Sequence, residues 1–148
     1  MKPRILIIVL CATLAVVGVT QATPVDKPEK SMALRKIMQE RDHNTQAATD
    51  AITREDWALL AELASMIALP PAPPLSEKMR TLSWLGTDVG KFRGFDKKTR
   101  EAAHAMGMAA ECGDGKAVIQ SFARIQDSCL ACHQAFRKPF TEHFYTQH

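Results

Sequence analysis

The reading of this chain turns on one stretch, Lys116–Lys138, with the sequence KAVIQSFARIQDSCLACHQAFRK. Val118, Phe122, Ile125, Cys129, Cys132 and Phe136 recur there at spacings of 4, 3, 4, 3 and 4. Residues so spaced share one face of an α-helix, and a seam of this kind is what helix bundles bury. Pro139 follows directly and predicts the end of the helix, because proline lacks the backbone N–H and crowds the preceding turn. Upstream, Cys112-Gly113-Asp114-Gly115 predicts a turn.

Before that turn, Asp96 is the expected cap of an alanine-rich helix ending near Glu111, with Gly107 inside it. Gly86, Gly90 and Gly94 predict a break, and Ser76 heads a shorter helical segment running to Leu85. Pro70-Pro71-Ala72-Pro73-Pro74 makes a stiff connection. A helix capped by Thr53 precedes it, with Glu55 and Asp56 in its first turn and Trp57, Leu60, Ala61, Ala64 and Ile67 along one face. The first helix runs from Ser31 to about Ile52 and is weakest at Asp42-His43-Asn44. No stretch alternates with period two and no repeat is present. The fold class expected is all-α, with four main helices.

The N-terminus predicts export. Lys2 and Arg4 precede an uncharged, mostly aliphatic run from Ile5 to Val19, and Thr20-Gln21-Ala22 places small residues before a cut. A basic start, an apolar core and a small-residue exit describe a signal peptide, residues 1–22. The apolar run falls short of the roughly 20 residues that span a bilayer. No membrane span is therefore expected after cleavage. Residues 23–30, with Pro24 and Pro28, read as a flexible leader, and 31–148 as a single domain. Of 148 residues 46% are hydrophobic and 24% charged, which suits a globular domain. Leaving out Lys2 and Arg4, seventeen bases face sixteen acids. So neutral a body is poorly suited to a phosphate backbone, and nucleic acid is excluded as the main partner.

Export leads to an oxidising compartment, where three cysteines remain: Cys112, Cys129 and Cys132. An odd number makes no simple disulfide framework. Cys129-Leu130-Ala131-Cys132-His133 is C-x-x-C-H, the attachment signature of a c-type haem. On a helix the two thiols and the imidazole point the same way. The thiols add to the two vinyl groups of the porphyrin, and His133 lies beneath the ring as a ligand to iron. Rival readings are a thioredoxin-like dithiol, which lacks its βαβ setting, and a zinc site from His104, Cys112, Cys129 and Cys132, which lacks a second spaced pair. Cys112 is read as a free thiol, or as a link between two subunits. His43, His104, His143 and His148 are read as surface residues, and Trp57 and Trp84 as core or interface.

A signal peptide, a helical body and a late haem motif followed by Phe136-Arg137 resemble the class II c-type cytochromes, the cytochrome c-prime family. The resemblance implies an up-down-up-down, left-handed four-helix bundle with haem c on its last helix. It also implies that the first helix supplies the residue opposite His133. An apolar residue there leaves a five-coordinate iron that binds nitric oxide or another small gas. A methionine gives a six-coordinate carrier of single electrons. Met38 falls at that place, with Met32 as its rival. A thioether opposite histidine favours the reduced iron. The function expected is a periplasmic monohaem electron carrier, not an enzyme, serving redox partner proteins. The alternative is the gas-binding form. Homodimers occur among such bundles. Arg137 reads either as a neighbour of the proximal face or a propionate, or as a solvated charge at a helix end. Phe122 and Phe136 are expected to pack in the bundle where it touches the porphyrin. Phe140, Phe144 and Tyr145 extend beyond the family pattern, either folding back on the bundle or padding a dimer contact.

Overall fold

A computed structural model describes residues 32–146. The signal peptide, the leader, the cap at Ser31 and His148 lie outside the described residues. Five α-helices follow in order: α1 (Ala33–Thr53), α2 (Trp57–Ala68), α3 (Leu75–Leu85), α4 (Val89–Glu111) and α5 (Gly115–Tyr145). A single 3₁₀ turn, Gly86–Asp88, links α3 to α4. No strand occurs among the described residues, and none of their helices is long and apolar enough to cross a membrane.

Tight turns join α1 to α2 and α4 to α5, so each pair runs antiparallel. α1 packs on α2, α2 on α4 and α4 on α5, which is the arrangement of a four-helix bundle with α3 as an added short helix. The core that binds these helices is built largely from alanine: Ala48, Ala51, Ala64, Ala68, Ala102, Ala103, Ala109 and Ala110. Such small side chains bring the backbones close. A Cβ at Gly107 would meet that of Ala64 at 3.3 Å, and one at Gly115 would meet the Trp57 ring at the same distance. Leu60, Ile67, Met106, Val118 and Ile125 fill the remaining space and are almost wholly buried.

Several boundaries differ from expectation. Thr53 ends α1 rather than capping α2, and its hydroxyl donates to the Thr49 carbonyl. The cap of α2 is Asp56, whose carboxylate accepts from the Leu59 N–H. The turn before it holds Glu55 at a φ of 54°. Asp42-His43-Asn44 does not interrupt α1. There the Thr45 hydroxyl returns to the Arg41 carbonyl and the Gln46 amide donates to the Asp42 carboxylate. Leu75, not Ser76, starts α3, just after Pro74. Of the three glycines read as a break only Gly86 makes one, with φ at +51°. Gly90 and Gly94 lie inside α4, and so does Asp96, whose carboxylate binds two arginines instead of capping a helix.

The largest correction is at Pro139, which does not end α5. The helix passes through it to Tyr145. Proline still lacks its N–H, but the turns beyond it are held by packing. Trp84 of α3 gathers Phe136, Phe140 and Phe144 at centroid distances of 6.5, 5.4 and 5.8 Å, and His143 stacks on it at 6.1 Å. The Met32 N–H donates to the Tyr145 hydroxyl at 3.3 Å, and the Ala33 N–H donates to the Glu77 carboxylate. The tail thus folds onto the bundle, tying the end of α5 to α3 and to the start of α1. His143, though exposed, belongs to this aromatic cluster.

Candidate functional site

The helical spacing of Cys129, Cys132 and His133 is realised on α5. Both cysteines are half-buried and His133 is exposed. Their surroundings come from two other helices. On α1, the Arg41 charge acts on both thiols and the Asp42 charge on His133. On α4, the Asp96 charge acts on both thiols, and the Thr99 hydroxyl lies by Cys129. The Thr99 and Ser128 hydroxyls, 2.8 Å apart and buried, seal the α4–α5 seam behind them. The site, or slot, is therefore the cysteine-bearing side of α5 together with the nearby residues of α1 and α4.

A charge cluster crosses the slot. Arg41 Nη2 lies 3.0 Å from Asp96 Oδ1, and Arg100 Nε lies 2.7 Å from Asp96 Oδ2. The Arg41 side chain is only 12% exposed. Its Nε is buried without a hydrogen-bond partner, the one such side-chain atom among the described residues. Burial pulls the Asp96 carboxyl upward, but Arg100 and Arg41 outweigh it and hold the group below its ordinary range.

The same burial governs the thiols. It raises Cys129, against the Thr99 hydroxyl. It raises Cys132 to about 11, helped by Cys129 and Asp96. A redox dithiol needs a thiolate at neutral pH, and these thiols hold their protons. Burial, then the Arg137 cation, lowers His133 against the pull of Asp42. The imidazole is neutral near pH 7, the form that binds metals. The zinc reading loses its geometry as well: among the described residues no three His, Cys, Asp or Glu side chains converge. Cys112 is free and exposed in the turn between α4 and α5.

Met38 is half-buried on α1, one turn before Arg41 and Asp42, and so shares their side of the helix. Met32 is buried at the start of α1, beside the residue pair Tyr145 and Glu77 that holds its neighbouring backbone. Arg137 is exposed one turn beyond His133. Phe122 packs half-buried against the main core. Phe136 instead joins Trp84, Phe92 and Phe95. Sequence reasoning missed Arg41, Asp96 and Thr99. The sole signal was the run of polar residues on two otherwise amphipathic helices, which names no partner by itself.

The orphaned N–H of the buried Arg41 guanidinium suits a group bearing carboxylates. The continuous core stops at Ile125 and Cys129, while the buried Ile37, Leu85 and Phe136 lie beyond it. Cys129 and Cys132 lie where that core stops, half-buried and protonated, and His133 follows them, exposed and neutral. The residues present suit an attached haem.

A helical bundle with Cys-x-x-Cys-His on its last long helix has the layout of the class II cytochromes. The comparison with known proteins agrees. The chain is 28% identical to a cytochrome c' of Rhodospirillum rubrum over 146 residues, covering 90% of this chain and 97% of that protein. This similarity supports the cytochrome c-prime family. No family model and no solved structure matches the chain.

Proposed function

We propose that this chain is a monohaem c-type cytochrome that carries single electrons in the periplasm, not a substrate-transforming enzyme. One observation carries the reading: Cys129, Cys132 and His133 share one turn of α5, with charged residues of α1 and α4 close by. Cys129 and Cys132 would hold the porphyrin covalently, and His133 would be one axial ligand. The haem supplies reversible one-electron chemistry at iron. Met38 would hold the iron from the other helix, because it lies on the side of α1 that bears Arg41 and Asp42. The role of Arg41 is to place a cation at the slot, held by Asp96. That of the apolar residues is to limit water there. Export rests on the Lys2–Ala22 pattern.

A second reading has a specific observation in its favour. The relative is named a cytochrome c', and the resemblance gives one branch of that family an open sixth position. In this reading Met38 packs in the wall, and the iron is five-coordinate and binds a small gas.

The test begins with the full chain secreted by a host able to attach haem. Its denatured mass should exceed that of the polypeptide by one haem, and Cys129→Ser with Cys132→Ser should abolish the gain. A colourless secreted protein overturns the reading. A low-spin optical spectrum with a weak red thioether-to-iron band supports the carrier, and Met38→Leu should then turn it high-spin. A broad high-spin spectrum in the unsubstituted protein selects the gas-binding form.

A further inference from the structure

The charges of this nearly neutral chain are not evenly spread. Residues 32–42, 75–100 and 130–146 hold twelve Lys and Arg against six Asp and Glu. The rest of the described chain, 43–74 and 101–129, holds three against eight. The fold assembles the first group at one end of the bundle. The start of α1, all of α3, the start of α4 and the end of α5 meet there, as the Met32–Tyr145, Ala33–Glu77 and Trp84–Phe136 contacts show. The Cys129–His133 turn lies midway along α5, level with the Thr99–Ser128 contact, and borders this end. Two of its six acids are occupied internally, Glu77 by the Ala33 N–H and Asp96 by Arg41 and Arg100. The surface left is more basic than the count conveys.

The cations there also have a shape. Arg35 of α1 lies 5.6 Å from the Tyr145 ring, Arg80 of α3 lies 5.5 Å from Phe144, and Lys91 of α4 lies 5.8 Å from Phe136. Three helices thus lay a cation on the aromatic cluster that follows His133, and Arg137 stands beside His133 itself. All four are exposed. Leu75 and Met79, exposed by 73% and 57%, add apolar area on α3 beside Arg80. An apolar centre rimmed by like charges is the build of a protein interface with an oppositely charged partner.

We propose that this end of the bundle is the docking face for an acidic redox partner protein. The inference rests on the electron-carrier reading, since an electron is passed where the cofactor comes nearest the surface. The opposite, acidic end turns the molecule during approach, so that the basic end leads. Exposed Glu40, Asp42 and Glu142 are interspersed among the cations. That mixed pattern suits a protein surface of fixed register better than a uniformly anionic membrane.

The experiment uses the holoprotein and two small redox probes of opposite charge. Hexacyanoferrate(II) gives up one electron, becoming hexacyanoferrate(III) as ferric iron becomes ferrous, and no bond or proton changes. Hexaammineruthenium(II) does the same as a cation. Between about 10 and 200 mM salt the rate with the anion should fall by about tenfold, and that with the cation should not fall. Arg80→Glu with Lys91→Glu should lower the low-salt rate with the anion at least fivefold. Lys116→Glu, at the other end, should leave it within twofold. Should the double reversal fail to fold, Arg80→Gln with Lys91→Gln should give half the effect on a logarithmic scale. A readout independent of electron transfer is titration with polyglutamate. Amide shifts should gather at Arg35, Arg80, Lys91 and Arg137 and spare Lys116. Equal salt dependence for the two probes in a coloured holoprotein overturns this inference alone. So does sedimentation of the protein with phosphatidylglycerol vesicles while polyglutamate gives no shifts, because the face then belongs to a membrane. A colourless protein overturns the carrier reading and this inference with it.

Discussion

Replacing Asp96 by asparagine tests the charge cluster that crosses the slot. The carboxylate neutralises Arg41 at 3.0 Å and Arg100 at 2.7 Å. Removing one partner of a fully buried pair costs about 3–5 kcal/mol, and an exposed pair is worth about 0–1. Arg41 is 12% exposed and Asp96 34%, so this cluster lies between those limits. Solvent screening of Asp96 and the greater exposure of Arg100 bring the expected loss to about 2 kcal/mol. For a domain of this size that lowers Tm by about 8 °C. The pH dependence has a definite sign. The folded-state carboxyl of Asp96 is held below the ordinary aspartate range. Its contribution is present in full above the unfolded value and is lost as pH falls through the lower folded one. Urea unfolding of the holoprotein at pH 7 should show the full gap between wild type and Asp96→Asn. That gap should narrow steadily as the pH falls below the ordinary aspartate range. Lys97→Gln, at an exposed pair 3.7 Å from Glu101, should stay within about 0.5 kcal/mol throughout. A gap under about 0.5 kcal/mol at pH 7, or one unchanged at pH 2.5, refutes the assignment.

Ile125→Ala removes a side chain that is 0% exposed in the main core. It should cost about 2–5 kcal/mol in denaturant unfolding, since the alanine-rich neighbours have little reach to collapse into the space. Pro139→Ala should stabilise the protein by about 1–3 kcal/mol, seen as a higher Tm, because it restores a helical N–H at an exposed position in α5. Tyr145→Phe removes the acceptor for the Met32 N–H and should cost about 0.5–1.5 kcal/mol. Hydrogen exchange at the start of α1 should then quicken, while exchange around Ile125 stays as it was.

The helices of the bundle were legible where packing and local pattern agree. The stripe from Val118 to Phe136 is a helical seam in any all-α fold that buries it, and the helix ending near Glu111 is legible as alanine-rich. The breaks were less legible. Proline and glycine carry a local cost, and a local rule stops the helix at Pro139 and interrupts it at Gly90 and Gly94. The rule gave way at Pro139 because Trp84, more than fifty positions away, offers the following turns an aromatic surface to pack on. Thr53 and Asp96 misled in the same way. A residue that caps well also serves inside a helix when its side chain finds the backbone four residues back or an arginine on another helix.

The site divided along the same line. Cys129, Cys132 and His133 lie within five residues, so helical periodicity alone brings them to one face, and the chemistry they imply was readable without coordinates. The wall opposite them draws on α1 and α4, with Arg41 and Asp96 separated by more than fifty residues. Which residues stand across the slot is a question of helix pairing, which no local spacing encodes. Charge shows the division most plainly. A count along the chain finds bases and acids almost balanced and stops there. Folding brings distant basic segments together at one end of the bundle and leaves an excess of acids at the other, because electrostatic fields depend on distances in space and not on order in the chain.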